Sequence, residues 1–224
     1  MHNRMLEIDK PLHEALNRAT LLYYQGRHRR ELRQIFRAIA VSFHACRMLT
    51  ETDSTWYDLG TRIVDWVSSF EILVHPGRGR VGPNDVYRLV NDIRWFDTPQ
   101  SPRAPRVAHR RYKYPVKNGR YLRENAACHF YRRLYKLRND FAHGNPLKQS
   151  NRATQAGKSD GPRIDQIAPL LFRECVFQRL RELEIVPRFA TYPMSREQYM
   201  AFLIQSLPHG SFHDAFAVGL GLHC

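Results

Sequence analysis

The sequence lacks the features that mark secreted, membrane-spanning and metal-binding proteins. It has four cysteines in 224 residues and no CxxC pair, so neither a disulfide framework nor a zinc ribbon is indicated. No apolar run approaches the ~18 residues that predict a membrane helix. Residues 1–4 lead into mixed polar sequence without a signal-peptide stretch. These absences predict a cytoplasmic protein that has no membrane partner and binds no metal.

Lysine and acidic residues are also scarce compared with arginine. The chain has 29 arginines and 6 lysines, and its 35 basic residues against 21 acidic ones give a net charge of +14. An arginine side chain meets a phosphate through two parallel hydrogen bonds, which a lysine cannot do. The composition therefore favours a polyanionic partner, nucleic acid first, over a charged shell that only keeps the protein in solution.

Strand-like alternation is nearly absent, whereas helical spacing of apolar residues recurs along the chain. The pattern predicts helices over Leu6–Tyr24, Arg30–Cys46, Leu59–Val74, a short stretch after Pro83, residues 127–141, Pro169–Ile185, and a last one from a capping box at Ser195 to Pro208. The expected fold is all-α, a helical bundle with long basic loop insertions. It forms one domain over 1–224, with a core at about 28–146 and C-terminal helices at 163–208 packed on it.

The apolar faces of these helices predict the core residues. In the second predicted helix the face comprises Leu32, Ile35, Phe36, Ile39, Phe43 and Cys46. Cys128 and the three tryptophans, Trp56, Trp66 and Trp95, are also expected to be buried.

Two segments depart from the helical pattern. Residues 98–123 carry eight Lys or Arg, no acid and four prolines, which predicts an exposed, basic, partly extended loop. This loop is either a solvated insertion or an RNA-guiding arm, in which Tyr112 or Tyr114 stacks on unpaired bases. In the second interpretation the phosphate contacts come from Arg110, Arg111, Lys113 and Lys117. Residues 148–162, rich in Ser, Gly, Gln and Lys, predict a mobile loop.

Residues 77–82 match the GxGxxG pattern of dinucleotide-binding proteins. That motif requires a strand before it and a helix N-terminus directly after it to hold the pyrophosphate. Here a predicted helix precedes the glycines and Pro83 follows them. The run is interpreted as a flexible basic turn whose Arg78 and Arg80 could touch a nucleic-acid backbone. No cofactor is expected.

The most informative run is residues 134–144, Leu-Tyr-Lys-Leu-Arg-Asn-Asp-Phe-Ala-His-Gly. Arg138 lies at the margin of the buried stripe, and His143 comes in the last helical turn before Gly144, a residue suited to closing a helix. An arginine and a histidine suffice for metal-free RNA cleavage. His143 would move a proton to or from the 2′-hydroxyl or the leaving 5′-oxygen, while Arg138 stabilises the phosphate charge. Asn139 could orient either of them.

Residues five apart on a straight helix point about 140° away from each other. Arg138 and His143 therefore converge only if the helix breaks near Ala142, or if two copies of the chain build a composite site. The alternative interpretation is purely structural, a histidine at a helix end and a surface arginine.

The run Arg138-Asn139-Asp140-Phe141-Ala142-His143 resembles the HEPN family, whose hallmark is Arg-x4–6-His, often Arg-Asn-x3-His. The longer run 134–144 resembles the Apea-like branch of that family. The run 70–73, Phe-Glu-Ile-Leu, is similar to an earlier helix of the branch that carries an acidic residue in an apolar setting. The similarity covers about residues 56–146.

The resemblance implies an all-helical, homodimeric, metal-independent endoribonuclease, often a toxin or phage-defence effector, with the two Arg/His pairs meeting at the dimer interface. Arg138, Asn139 and His143 carry over as catalytic residues, and Glu71 as a supporting or structural group. An antitoxin or a defence-system partner is a further expectation. Some members have lost cleavage and act as RNA-binding or scaffold modules beside a nucleotidyltransferase, and this remains the alternative.

Overall fold

The architecture is taken from a computed structural model, which describes residues 9–47, 56–75, 77, 79–95, 102–115, 121–145, 153–154, 162–186 and 212–222. The helices before the sheet are α1 (Lys10–Tyr24), α2 (Arg29–Arg47), α3 (Trp56–Val74), α4 (Pro83–Asn91) and α5 (Ala104–His109). They are followed by β1 (Tyr112–Pro115), β2 (Tyr121–Glu124), α6 (Ala126–Ala142), α7 (Ile164–Glu182) and α8 (212–219). The prediction of an all-α fold is confirmed over these residues.

Helix α3 lies at the centre and packs against α2, α4, α6 and α7. Helices α2 and α3 are antiparallel, because Arg30 at the start of α2 contacts Gly77 after the end of α3, while His44 bonds Asp65 at 2.7 Å. A Cβ atom at Gly77 would lie 2.1 Å from Nη2 of Arg30, and its backbone has φ +83°. The left-handed backbone favours glycine at this turn, and the Arg30 guanidinium occupies the space beside it.

The core is built from aromatic rings of three helices. Phe70 of α3 lies 5.2 Å from Tyr131 of α6 and 5.3 Å from Phe172 of α7, in edge-to-face geometry. Such arrangements are favoured by the ring quadrupoles. Trp66 and Trp95 are buried as predicted, while the side chain of Trp56 lies outside the described residues. The Phe70 ring therefore joins α3 to both α6 and α7, which also contact each other.

The predicted inner face of α2 is wrong at its C-terminal end. Phe43 is 61% exposed and Cys46 is also exposed. The buried residues of α2 are Leu32, Ile35, Ala38, Ser42 and Ala45. Phe43 follows Ser42 directly, so its side chain is turned about 100° from that face. Small residues, rather than the largest apolar ones, allow α2 to lie close to α3.

The prediction of a basic loop over 98–123 is wrong in part. Residues 104–109 form α5 with Ala104 and Val107 buried, and β1 pairs antiparallel with β2 in a two-stranded sheet. Pro105 lies at the start of α5, where its missing N–H costs no helical hydrogen bond. Pro105 thus fits the first turn of the helix instead of preventing it. Of the 148–162 loop, only Ala153, Thr154 and residue 162 are described, and Ala153 bridges Arg163.

The C-terminal helices also depart from the prediction. Helix α7 begins at Ile164, five residues before Pro169, and contains that proline in its interior. The side chain of Gln166 accepts a hydrogen bond from the Arg163 backbone N–H at 2.9 Å, which fixes this earlier start. Helix α8 had no sequence prediction, and the helix predicted over 195–208 lies outside the described residues.

Several charged groups inside the bundle are paired. Arg62 of α3 donates to Asp165 of α7 at 2.7 Å, and the two side chains are 4% and 1% exposed. Arg173 of α7 donates to Asp9 at the start of α1 and to Glu174, which also pairs with His213 of α8 at 3.1 Å. Buried charges need such partners because desolvation is expensive. The pairs therefore fix α1 and α8 on α7.

Gly144 closes α6 as the sequence predicts. Its backbone has φ +73°, its N–H donates to Phe141 O at 2.9 Å, and the Asn145 N–H donates to Asp140 O at 2.8 Å. We expect Gly144→Ala to lower the free energy of unfolding by about 1–2 kcal/mol, because an L side chain is strained in this conformation. Urea unfolding measures the loss. Asparagine tolerates the left-handed region, so Gly144→Asn should lose less, and equal losses would contradict this explanation.

Candidate functional site

The candidate residues lie at the C-terminal end of α6. Asn125 begins this helix, its side chain accepting a hydrogen bond from the Cys128 N–H at 2.8 Å. Phe130, Leu134 and Leu137 are buried along one face of it. The Arg138 side chain lies at the edge of that face and is 27% exposed. The packing of α6 thus leaves the arginine between the core and the solvent.

Arg138 is held by contacts on several sides. Its Nη2 donates to both carboxylate oxygens of Glu71, at 3.1 and 3.2 Å, and its Nη1 donates to Oδ1 of Asn139 at 2.9 Å. Its guanidinium also lies over the ring of Tyr135, 5.1 Å from the centroid. Tyr135 was not among the predicted site residues, although its position three residues before Arg138 places it on the same side of the helix. These contacts fix the guanidinium in one orientation.

Glu71 lies on α3, next to a buried hydroxyl. Burial raises the pKa of Glu71, and the charge and hydrogen bond of Arg138 oppose this only in part. The hydroxyl of Tyr131 is buried and has no hydrogen-bond partner among the described residues. Its pKa is raised first by burial and further by the charge of Glu71. The arginine therefore stabilises a carboxylate for which the surroundings are otherwise unfavourable.

The raised pKa of Glu71 predicts a pH-dependent contribution to stability. The protonated form is favoured in the folded chain, so this contribution is present below the ordinary pKa and is lost as pH rises through the folded value. Wild type should therefore be more stable relative to Glu71→Gln at pH ~4 than at pH ~7. Urea unfolding of both proteins at the two pH values measures this, with Glu14→Gln on α1 as the control. A difference of opposite sign would show that Arg138 outweighs burial.

His143 ends α6 and its side chain is exposed. Its N–H donates to Asn139 O at 3.0 Å, and no described residue is hydrogen-bonded to its ring. Asn139 therefore contacts both residues of the motif, Arg138 through its side chain and His143 through its backbone. The imidazole remains open to a ligand from solvent.

The structure does not bring Arg138 and His143 together within one chain. Helix α6 ends at Ala142 and His143 caps it, but the His143 N–H still makes the helical hydrogen bond to Asn139 O, so the chain keeps its helical course up to His143. The two positions are about 140° apart around the axis and ~7.5 Å apart along it. The Arg138 guanidinium also lies over Tyr135, toward the N-terminus, whereas His143 lies beyond the other end. A composite site built from two copies of the chain stays a prediction, as does the purely structural interpretation of the two residues.

The last turn of α6 rests on the start of α3. A Cβ atom at Gly60 would lie 2.2 Å from the Phe141 ring, and the ring of Tyr57 lies 5.7 Å from that of Phe141. The glycine thus makes room for Phe141 and lets the helices approach closely. This contact fixes the position of the end of α6, where His143 lies.

Three of the four basic residues predicted to bind RNA lie elsewhere in the described chain. Arg110, Arg111 and Lys113 are exposed around the start of β1, and Lys117 lies outside the described residues. The ring of Tyr112 stacks on His129 at 4.1 Å, and the Arg132 guanidinium lies 3.6 Å from the ring centroid of Tyr114. Each tyrosine thus has a face covered by a protein side chain, which leaves less of it for the predicted base stacking.

The described residues give no support for a metal site, a membrane-spanning helix or a dinucleotide site. Over the described residues, no three His, Cys, Asp or Glu side chains are grouped so that they could hold a metal ion. Within the same ranges, no helix is both long and apolar enough to span a membrane. The glycine-rich turn follows helix α3 directly, and Gly77 and Gly79 adopt left-handed backbone conformations. The strand that a dinucleotide site requires is thus not present before it.

Comparison with known proteins gives no match for this chain among protein-family models, curated proteins or solved structures.

Proposed function

We propose that the protein is a metal-independent endoribonuclease of HEPN type that acts in the cytoplasm as a toxin or phage-defence effector. One observation carries the proposal. An arginine held by Glu71 and Asn139 lies on the same helix as His143, whose ring is exposed and hydrogen-bonded to no described residue. The resemblance of the motif to the HEPN family supports the same chemistry, and the net charge of +14 suits an RNA substrate.

The proposed reaction needs no bound cofactor. His143 accepts the proton of the 2′-hydroxyl as its oxygen attacks the adjacent phosphorus, and the protonated His143 gives that proton to the 5′-oxygen as the bond from phosphorus to the 5′-oxygen breaks. Arg138 stabilises the charge that builds on the non-bridging oxygens, and Asn139 keeps the guanidinium in place. The products are a 2′,3′-cyclic phosphate and a 5′-hydroxyl. Glu71 positions Arg138 and does not touch the reacting atoms.

The proposed active unit is a homodimer. Because the two side chains diverge along α6, a second copy is the simplest source of a histidine opposite each arginine. A two-fold axis near the ends of the two α6 helices would create two equivalent sites. An antitoxin or another defence-system protein is the proposed partner that restrains the enzyme.

An exposed row of arginines on α2 supports binding of the RNA backbone. Arg29, Arg33 and Arg37 are spaced four residues apart on the outer face of α2. No carboxylate of the described residues lies within 4.0 Å of Arg33 or Arg37. The antiparallel contacts of α2 with α3 place Arg37 at about the level of Glu71. The row therefore leads toward the end of α3 that contacts Arg138.

This surface predicts a measurable salt dependence of RNA binding. Each phosphate contact on single-stranded RNA contributes about −0.7 to the slope of log K against log salt, because counterions are released. We expect Arg33→Ala combined with Arg37→Ala to reduce the slope by about 1.4. Fluorescence anisotropy with an oligoribonucleotide in the His143→Ala background measures it.

The matched control is a second pair of exposed basic residues, Arg18→Ala combined with Lys10→Ala on α1, which should leave the slope unchanged. A slope unaffected by the α2 variants would remove this row from the RNA path. An equal reduction by the α1 control would indicate diffuse attraction to the whole surface.

The direct test is incubation of the purified protein with RNA in excess EDTA, followed by identification of the product ends. We expect cleavage to persist and the 3′ ends to carry a cyclic phosphate. Cleavage abolished by the chelator, or products with a 5′-phosphate, would refute the proposed mechanism.

A non-catalytic module is the alternative, in which the chain binds RNA or serves as a scaffold beside another protein such as a nucleotidyltransferase. The bond of Arg138 to Glu71 favours it, because a purely structural arginine would be paired in the same way. RNA breakdown by wild type that is absent from the double variant Arg138→Ala/His143→Ala excludes this alternative. RNA binding without breakdown, equal in both proteins, establishes it.

A further inference from the structure

A pocket of about 260 Å³ lies between the start of β1, the first half of α6 and the end of α8. Its walls include Arg110, Tyr112, His129, Arg133 and Thr154, together with residues 220–222, and no acidic residue is among them. The volume is several times the ~30 Å³ that one water molecule occupies in the liquid. It falls just below the ~300–1,000 Å³ of sites for drug-sized ligands. A small charged group with part of its carrier fits this space.

Arg133 gives the pocket a positive charge that no carboxylate neutralises. Its guanidinium donates to the carbonyl oxygens of Thr154 and of Ala153, the latter at 2.6 Å. These acceptors are neutral, and no carboxylate of the described residues lies within 4.0 Å of the Arg133 side chain. Burial lowers the pKa of Arg133. A half-buried cation without a counter-ion is unfavourable, so an anion in the pocket would stabilise it.

The nearest carboxylate is already occupied. Glu124 accepts from Arg132 at 2.8 Å and lies 3.3 Å from Nδ1 of His129. Burial opposes ionisation of Glu124, but the hydrogen bonds of His129 and Arg132 outweigh it and lower the pKa of this carboxyl. The negative charge of Glu124 is therefore already paired with those two side chains. Arg132 is neutralised by this pair, and its neighbour Arg133 is not.

Several donors remain free to hold an anion. A guanidinium has five N–H groups, and Arg133 uses two of them on carbonyl oxygens. Nε2 of His129 bonds no described residue, and the ring stacks flat on Tyr112, which fixes its orientation. Arg110 is exposed beside the ring of Tyr112, 5.7 Å from its centroid. The wall at 220–222 is the closing turn of α8, whose last carbonyls already accept backbone N–H groups.

We propose that this pocket is a phosphate-binding site, in which Arg133 and His129 hold the phosphate at the base and Arg110 closes on it from the rim. A phosphate offers several acceptor oxygens and matches the planar fork of an arginine. The site is separate from the Arg138 region, because His129 precedes Arg138 by nine residues and thus lies ~14 Å away along α6, on the opposite side of the helix. The proposal does not depend on RNA cleavage.

The test is isothermal titration of the full chain at low salt with inorganic phosphate, adenosine 5′-monophosphate and adenosine. We expect saturable binding of inorganic phosphate and of the monophosphate at one site per chain, and no binding of adenosine. Arg110→Ala and Arg133→Gln should each weaken phosphate binding about tenfold, through the loss of a charge-assisted hydrogen bond. Arg18→Ala on α1 is the matched control and should bind as wild type does.

Arg110 is exposed and contacts only the rim, so its variant keeps the test decisive if Arg133→Gln fails to fold. Absence of saturable phosphate binding to wild type would overturn the proposal. Wild-type affinity in both variants, or adenosine binding as tightly as its monophosphate, would overturn it as well.

A further titration identifies the source of the phosphate. In the His143→Ala background, a loss of oligoribonucleotide affinity in Arg110→Ala equal to the loss for inorganic phosphate assigns the pocket to the RNA backbone. Unchanged RNA affinity with weakened monophosphate binding assigns it to a free nucleotide. Both results support a phosphate site, and the second would separate it from the proposed ribonuclease.

Discussion

RNA cleavage by the His143→Ala variant should fall about 10²–10⁴-fold below that of the wild-type protein at neutral pH, because the general base and acid is removed. The variant should nevertheless keep the wild-type fold and stability. The His143 ring is exposed and bonds no described residue, and the backbone N–H that ends the helix is present in alanine too. Initial rates on a fluorescent oligoribonucleotide, with EDTA present throughout, measure the loss.

The matched control for this prediction is His109→Ala. His109 ends α5 and is equally exposed, but it lies far along the chain from the motif. Its removal changes the same number of titratable groups without touching Arg138 or Asn139. Undiminished cleavage by His143→Ala would refute the proposed chemistry. An equal loss in both variants would point to a general effect of removing an exposed histidine.

A second comparison separates catalysis from positioning. Asn139→Ala removes the side-chain oxygen that accepts from Arg138 but leaves the backbone bond to His143 intact. Its effect on cleavage should therefore be smaller than that of His143→Ala, since Glu71 still holds the guanidinium. A smaller loss of cleavage for Asn139→Ala than for His143→Ala indicates that Asn139 acts through Arg138. A loss as large as that of His143→Ala indicates that Asn139 touches the substrate itself.

Helical periodicity predicted the class of fold because the bundle buries one stripe of each helix. The same periodicity predicted the wrong buried residues where burial depends on the neighbouring helix rather than on the size of the side chain. Ala38, Ser42 and Ala45 are buried on α2 and Phe43 is exposed, because the buried stripe of the helix runs through its small residues. The β1–β2 pair was missed because only four residues of each strand pair, and their apolar content resembles that of a loop.

The sequence pointed to the residues of the candidate site, but it did not predict how they are arranged. Arg138, Asn139 and His143 lie within six positions, so a local motif finds them. The bond between Arg138 and Glu71 joins residues 67 positions apart, and only the packing of α3 against α6 creates it. Likewise, Arg133 gave no sequence signal. It is one of 29 arginines, and only the folded chain shows that its side chain is half-buried with no carboxylate of the described residues beside it.

The divergence of the two motif residues along α6 makes a sharp prediction about mixed dimers. Arg138→Ala and His143→Ala should each be nearly inactive alone, and a mixture unfolded and refolded together should regain about a quarter of wild-type cleavage. Random pairing makes half of the dimers mixed. In each mixed dimer, one of the two sites combines an intact arginine from one copy with an intact histidine from the other. Cleavage rates before and after joint refolding measure the recovery.

The control for this recovery is a mixture of the double variant Arg138→Ala/His143→Ala with His143→Ala, which can form no complete site and should stay inactive. Mixed dimers must be demonstrated in the same samples by native mass spectrometry with one copy isotopically labelled. Mixed dimers without recovery would show that each site takes both residues from one chain. A mass near the 26.4 kDa of a single chain at assay concentration, with cleavage intact, would overturn the composite site, because the arginine and histidine of one α6 would then have to act together despite pointing about 140° apart.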